Sequence, residues 1–148
     1  MVANCPFCLS DNSEMYFMRD KLFTALYNRS PILPGHSLIV PNRHVERFNE
    51  LTEDELKWIL PFTKSVVAKL SNFFPNTGFD WTIQDGNSAG QTVGHFHIHL
   101  IPRRDKDLPD PGDWYPLLEN AENQNLDSHF RSRLSEIELL EINKKLRS

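Results

Sequence analysis

The sequence predicts an α+β domain built on an antiparallel sheet, and three observations predict it. Five short segments read as strands, one long amphipathic segment between the third and fourth reads as a helix, and a second helical pattern closes the chain. The order strands, helix, strands, helix is that of segregated α and β elements. With 148 residues, 39% of them hydrophobic, the chain has the composition of one ordinary globular domain. At that length roughly two-thirds of the unfolded surface can be buried without disulfide staples.

Residues 15–18 and 22–27 are the first two strand candidates, separated by the charged turn Arg19-Asp20-Lys21. Ser30-Pro31-Ile32-Leu33-Pro34-Gly35 is punctuation, because proline fixes φ and glycine permits positive φ. Residues 37–40 read as a third strand, closed by Pro41. The long helix starts at Thr52: Thr52-Glu53-Asp54-Glu55 is a capping box, and Leu51 is placed to staple onto Leu56. Leu56, Ile59, Leu60, Val66, Val67, Leu70, Phe73 and Phe74 recur at helical spacing and make one apolar face, with a kink expected at Pro61. Residues 80–85 and 95–101 are the last strand candidates, joined through Gly86-Asn87-Ser88-Ala89-Gly90. Beyond Pro102 the chain turns polar and proline-rich until a final helix over 134–146, with Leu134, Ile137, Leu140 and Leu146 on one side. No repeat or linker interrupts this course, so the expectation is a single domain over 1–148, with its core at about 5–104 and a polar tail with the C-terminal helix at 105–148.

The charge balance, 16 basic against 20 acidic side chains for a net −4, argues against a protein that coats nucleic acid. No apolar run approaches the ~18–20 residues needed to span a bilayer, and the first ten residues lack a basic start followed by an apolar stretch. Neither membrane insertion nor export is expected, and the expected location is the cytoplasm. The two cysteines sit together as Cys5-Pro6-Phe7-Cys8. A thioredoxin-like redox pair would follow a strand and open a helix, and no strand precedes this one. The other reading is half of a zinc site, which needs two further ligands.

The segment His95-Phe96-His97-Ile98-His99-Leu100-Ile101 carries the chemistry. On a strand its three histidines share one face while Phe96, Ile98 and Leu100 share the other. Such a row could be a solvated His-rich face, a metal site, or a site of phosphorus chemistry. The third follows from imidazole itself: neutral, it is a good nucleophile, and with a pKa near neutrality it also leaves readily. Its neighbours can donate to phosphate oxygens.

This segment resembles the histidine-triad signature. The resemblance extends through Ala25-Leu26-Tyr27-Asn28-Arg29, Pro34-Gly35-His36-Ser37-Leu38-Ile39-Val40, Val45-Glu46-Arg47-Phe48 and Gln84-Asp85-Gly86 to Pro102-Arg103, which look like the fragile-histidine-triad branch, a group of dinucleoside polyphosphate hydrolases. It covers about residues 15–104. The resemblance implies a histidine-triad fold, with a five-stranded antiparallel sheet, one long kinked helix and a C-terminal helix, in a homodimer whose sheets join edge to edge. It implies hydrolysis of a nucleoside polyphosphate at the α-phosphate through a nucleotidyl-histidine, releasing a nucleoside monophosphate. His97 would be the nucleophile, His99 would hold the phosphate oxygens and His36 would support the nucleophile. Gln84 would contact the phosphate chain, Asn28 the ribose, and Gly90, Gln91, Thr92 and Val93 would embrace the phosphates. No organic cofactor is implied. Gln84 favours dinucleoside polyphosphates; the alternatives are nucleoside phosphoramidate hydrolysis, as in the Hint branch, and a nucleotide-binding signalling module with incidental turnover.

The Cys-x-x-Cys start departs from the fragile-histidine-triad pattern and resembles bacterial histidine-triad proteins instead. In those, two cysteines join a histidine in a Pro-x-x-His segment, here Pro41-Asn42-Arg43-His44, and the first histidine of the triad. The implied ligands of a structural zinc are thus Cys5, Cys8, His44 and His95, which leaves His97 and His99 for the reaction. Asp113-Trp114-Tyr115 falls where family tails often fold over the cleft, with a surface packing role equally open. Trp58 and Trp81 are expected in the core or at an interface, His129 in solvent, and Lys144-Lys145-Leu146-Arg147 at a helix C-terminus.

Overall fold

A computed structural model describes residues 4–8, 13–123 and 133–148; His129 lies outside them. Five strands form one antiparallel sheet: β1 (Met18–Arg19), β2 (Phe23–Tyr27), β3 (Ser37–Pro41), β4 (Gly78–Thr82) and β5 (Ile98–Arg103), in the spatial order β1-β2-β3-β5-β4. The helices are α1 (Glu53–Phe73), α2 (Trp114–Asn123) and α3 (Glu136–Arg147). This is the predicted α+β architecture.

Turn chemistry starts β2: the Asp20 carboxylate accepts from the backbone N–H groups of Leu22 and Phe23, both at 2.8 Å. Opposite it, β1 is shorter than the sequence suggests, because residues 13–15 form a 3-10 turn instead of extending the strand. Thr52 caps α1 as predicted, accepting from Glu55 N–H while the Glu55 carboxylate accepts from Thr52 N–H. Pro61 lies inside this 21-residue helix. The buried stripe is Ile59, Phe62, Thr63, Val66 and Leu70; Leu56, Leu60 and Phe73, expected on the apolar face, are exposed. Trp58 and Trp81 are also exposed, so neither belongs to the core.

Strands β2 and β3 are buried at every position, because both sheet faces are covered. One face carries the main core, in which Ala25, Tyr27, Ile39, Phe96, Ile98 and Leu100 meet α1 and residues Leu139 and Leu146 of α3. The opposite face carries a smaller cluster of Leu26, Leu38 and Val40, under Phe7 and Tyr16. The register sets Leu26 opposite Leu38 and Leu38 opposite His99, so this second cluster shares the histidine face.

Candidate active site

The three histidines do not all lie on a regular strand. The β5 ladder starts at Ile98, whereas His95 and His97 precede it in an extended segment held by other partners: Phe96 N–H donates to Val45 O at 2.7 Å and His95 N–H to Val93 O at 2.8 Å. The alternation survives this. Phe96 and Ile98 enter the core, while His95, His97 and His99 are all 3% exposed or less, which excludes a solvated His-rich face.

Backbone groups decide where the proton of each of the three rings sits. His97 Nδ1–H donates to the carbonyl of His95 at 2.8 Å, so the neutral ring has its lone pair on Nε2. His99 is set the other way. Ile32 N–H donates to Nδ1 of the fully buried His36 at 3.2 Å, which puts the His36 proton on Nε2. That nitrogen lies 2.9 Å from His99 Nδ1, and a donation there leaves the His99 proton on Nε2. The rings of His97 and His99 stand 4.9 Å apart, one an acceptor at Nε2 and the other a donor. Asn28 sits beside this chain: its Oδ1 accepts from Ser30 N–H at 2.9 Å, while its Nδ2 lies 3.2 Å from His36 Nε2 as a second donor and does not bond that nitrogen in this tautomer.

Gln84 follows β4 two residues after Thr82, which pairs with His99. Its carboxamide is buried, and Oε1 has no hydrogen-bond partner among the described residues. A buried amide with one end unsatisfied is the kind of group that a ligand or water completes. Gly90 makes room for it: a Cβ there would lie 2.5 Å from Gln84 Nε2, and its φ of +92° is one that L side chains rarely adopt.

The Gln91 side chain is engaged within the loop. Its Oε1 accepts from Gly86 N–H at 2.7 Å, and its Nε2 donates to the carbonyls of Glu46 and Val93. The N–H groups of Gly90 and Gln91 also bond within the loop, to Asn87 O and Gly86 O. Gln91 therefore shapes the loop from inside, leaving Thr92 exposed and Val93 half-buried at its rim. Asp85 anchors the loop base by accepting from Phe48 N–H and Arg47 Nε; the Phe48 N–H, with Arg47, holds its carboxyl below the ordinary value against a burial effect.

Beside the triad, the donor atoms of Cys5, Cys8, His44 and His95 all lie within 4.8 Å of one another, a group able to hold a metal ion. Cys5 Sγ is 3.3 Å and Cys8 Sγ 3.7 Å from His95 Nδ1, and Cys8 Sγ is 3.2 Å from His44 Nδ1. His95 Nε2–H donates to Pro41 O at 2.9 Å, so the lone pair on Nδ1 faces the sulfurs. Burial pushes the His95 pKa down, the Pro41 bond opposes this, and nearby His44 adds to it; burial pushes the Cys5 thiol up.

The residues that sequence reasoning missed are Phe7, Tyr16, Leu26, Leu38 and Val40, which give the histidine face an apolar flank. One signal was present. Both strands are apolar without alternation, which points to a second covered face. Trp114, by contrast, meets Tyr115 edge to face at the start of a helix, α2, that the sequence reading did not anticipate.

Comparisons with known proteins show the family and the fold. The family model described as the HIT domain matches residues 10–106. The bis(5'-nucleosyl)-tetraphosphatase (asymmetrical) of Schizosaccharomyces pombe is 41% identical over 106 residues, 72% of this chain and 58% of that one. The bis(5'-adenosyl)-triphosphatase of Dictyostelium discoideum is 35% identical over 133 residues, 89% of each chain. Among solved structures, a hypothetical histidine triad nucleotide-binding protein from Sulfolobus tokodaii superposes with a TM-score of 0.71 at 27% identity, over 97% of this chain and 89% of that one. The match spans little more than half of the yeast enzyme but nearly all of the other two. Three alternating buried histidines inside a matched HIT domain place this chain in the histidine triad (HIT) family.

Proposed function

We propose that this protein hydrolyses dinucleoside polyphosphates, cleaving at an α-phosphorus and releasing a nucleoside monophosphate. The observation that carries this reading is the His97 tautomer: with the proton held on Nδ1 by the His95 carbonyl, the Nε2 lone pair is the nucleophile. In the first step that pair forms an N–P bond while the bridging P–O bond to the rest of the polyphosphate breaks, and the remaining nucleotide leaves on that oxygen. In the second, water attacks the same phosphorus and loses a proton to solvent, the N–P bond breaks, and the ring nitrogen recovers its lone pair. His99, a donor at Nε2, stabilises charge on the phosphate oxygens. Gln84 meets the phosphate chain beneath Gly90, Thr92 and Val93 line the rim that Gln91 supports, and Asn28 takes the ribose. A base would meet this apolar flank at Phe7 and Tyr16, the partly buried rings that cover Leu26, Leu38 and Val40. Relatives named as a tetraphosphatase and a triphosphatase support the substrate class.

Zinc fits the second cluster. Tetrahedral zinc with bonds of about 2.0–2.3 Å needs its donors roughly 3.3–3.8 Å apart, and the separations of 3.3, 3.2 and 3.7 Å already approach that shape. Two thiolates and two imidazoles would fill its coordination, so its contribution when bound is structural: it ties the N-terminal segment to the sheet. The chain is read as one domain, since Leu139 and Leu146 of the tail share the main core, and as a cytoplasmic homodimer joined at the β4 edge, where Trp81 is exposed.

Product analysis across diadenosine triphosphate, diadenosine tetraphosphate, guanosine counterparts and an adenylylated amine tests the substrate reading. The expected result is AMP or GMP from the polyphosphates at rates well above those on the amine. Faster cleavage of the amine would instead favour phosphoramidate hydrolysis, and binding without cleavage would favour a signalling module.

A further inference from the structure

The segment Cys5-Pro6-Phe7-Cys8 brings more to the histidine face than two thiols. The Phe7 ring lies between the two cysteines in sequence and meets two imidazoles edge to face, 5.2 Å from His97 at 64° and 5.9 Å from His95 at 75°. The ring also packs on Leu26, Leu38 and Val40, the apolar flank of the histidine face. Cys8 N–H donates to Cys5 O at 3.2 Å, so the four residues form one turn whose two ends are the thiols. His97 thus has two ring neighbours, His99 at 4.9 Å and Phe7 at 5.2 Å. A hydrogen bond at Nδ1 fixes the proton of an imidazole but lets the ring tilt about that bond, and flanking rings are what restrict the tilt.

We propose that Phe7 is a positioning residue for His97: a divalent cation held by Cys5, Cys8, His44 and His95 fastens both ends of the turn, and Phe7 passes that constraint to the His97 ring and to the base side of the cleft. The inference rests on the nucleotide-site reading above and adds a link to it. Metal occupancy and nucleotide affinity become coupled through one aromatic side chain. An aromatic pair of this kind contributes enough that its loss changes an equilibrium roughly threefold to tenfold.

The test compares the zinc-loaded wild type with Phe7→Ala and Phe7→Tyr, each before and after treatment with a chelator. Three quantities are read: bound zinc, the dissociation constant for AMP, and the ring-nitrogen NMR shifts of His97, with backbone amide signals of β2 and β3 confirming the fold in every sample. Phe7→Ala is expected to keep one equivalent of zinc, to bind AMP three- to tenfold more weakly and to shift the His97 ring signals, while Phe7→Tyr restores both. Stripping zinc from the wild type should move the same signals the same way, and stripping it from Phe7→Ala should add little. The proposal is overturned if zinc removal leaves the His97 signals and AMP affinity unchanged, if its effects add in full to those of Phe7→Ala, or if Phe7→Tyr fails to restore. None of these readouts needs turnover, and if AMP did not bind at all the nucleotide-site reading would fail while the ring signals still decided the role of Phe7.

Discussion

Two neighbouring imidazoles, His97 and His99, carry the proton of the neutral ring on opposite nitrogens because different backbone groups hold them, the His95 carbonyl for one and Ile32 N–H through His36 for the other. That asymmetry turns a row of identical residues into an acceptor and a donor. At the same scale Gly90 is needed for conformation and for space. Gly90→Ala should cost about 1–2 kcal/mol, since the left-handed region penalises a Cβ and this one would strike Gln84. Denaturant titration would show the loss, together with a fall in kcat/KM as Gln84 is displaced. Unchanged stability and activity would contradict the role given to both residues. The alternation His-x-His-x-His was legible in the sequence because a two-residue period needs no tertiary knowledge. The work of Gln91 was not, since its three partners are backbone atoms of two loops whose approach no local pattern encodes.

Element boundaries show where local rules yield to packing. The capping box at Thr52 was readable because all its partners lie within four residues. The buried face of α1 was less so. Leu56 and Leu60 match the helical period yet stay exposed, while Phe62 and Thr63 are buried, because the sheet position selects the stripe. In α3 the same happened: Leu139, Asn143 and Leu146 are buried and Ile137, expected inside, is exposed. The start of α1 is also tied to the Cys5, Cys8, His44 and His95 cluster. Glu55 closes the capping box and accepts from Arg43 at 2.8 Å, beside His44; burial would raise its pKa, but Arg43 and Thr52 outweigh that and hold it low. Beyond β5, Arg103 bonds Asp80 and Asp107 and fixes the turn after the strand. Arg103 holds Asp107 down to about 2 from its ordinary 3.8, so the folded state keeps the carboxylate ionised. Its contribution, roughly 2 kcal/mol, is fully present above the ordinary value and is lost as pH falls through the folded one. Asp107→Asn should therefore lower stability near neutrality and flatten the acid limb of the stability curve between pH 4 and 2. An unaltered acid limb would contradict this.

Across the whole molecule, the tail closes the fold and does not merely trail it. Lys69 Nζ donates to Leu146 O, Arg147 to Tyr16 O, and Leu134 N–H to Arg29 O, so the C-terminal helix binds α1, the N-terminal segment and the end of β2 together. Tyr16 in turn covers the apolar flank of the histidine face. The order of strands and helices was legible as a class, but α2 was not, because Pro116 within it and Pro109 and Pro111 just before it read as loop. At the opposite edge, β4 presents an unpaired ladder with Trp81 half exposed. If copies of the chain join there, Trp81→Lys should shift the sedimenting species from dimer to monomer while leaving the thermal transition of each subunit within a few degrees; a monomeric wild type would refute the edge-to-edge assembly.

The central claim is that phosphorus becomes bonded to His97 during turnover, and rapid acid quenching with diadenosine triphosphate followed by intact mass measurement tests it most directly. The account predicts one added adenylyl group on the wild type, mapped to the peptide containing His97, and none on His97→Asn, which still binds AMP. An adduct that persists in His97→Asn, or maps to another residue, would contradict it.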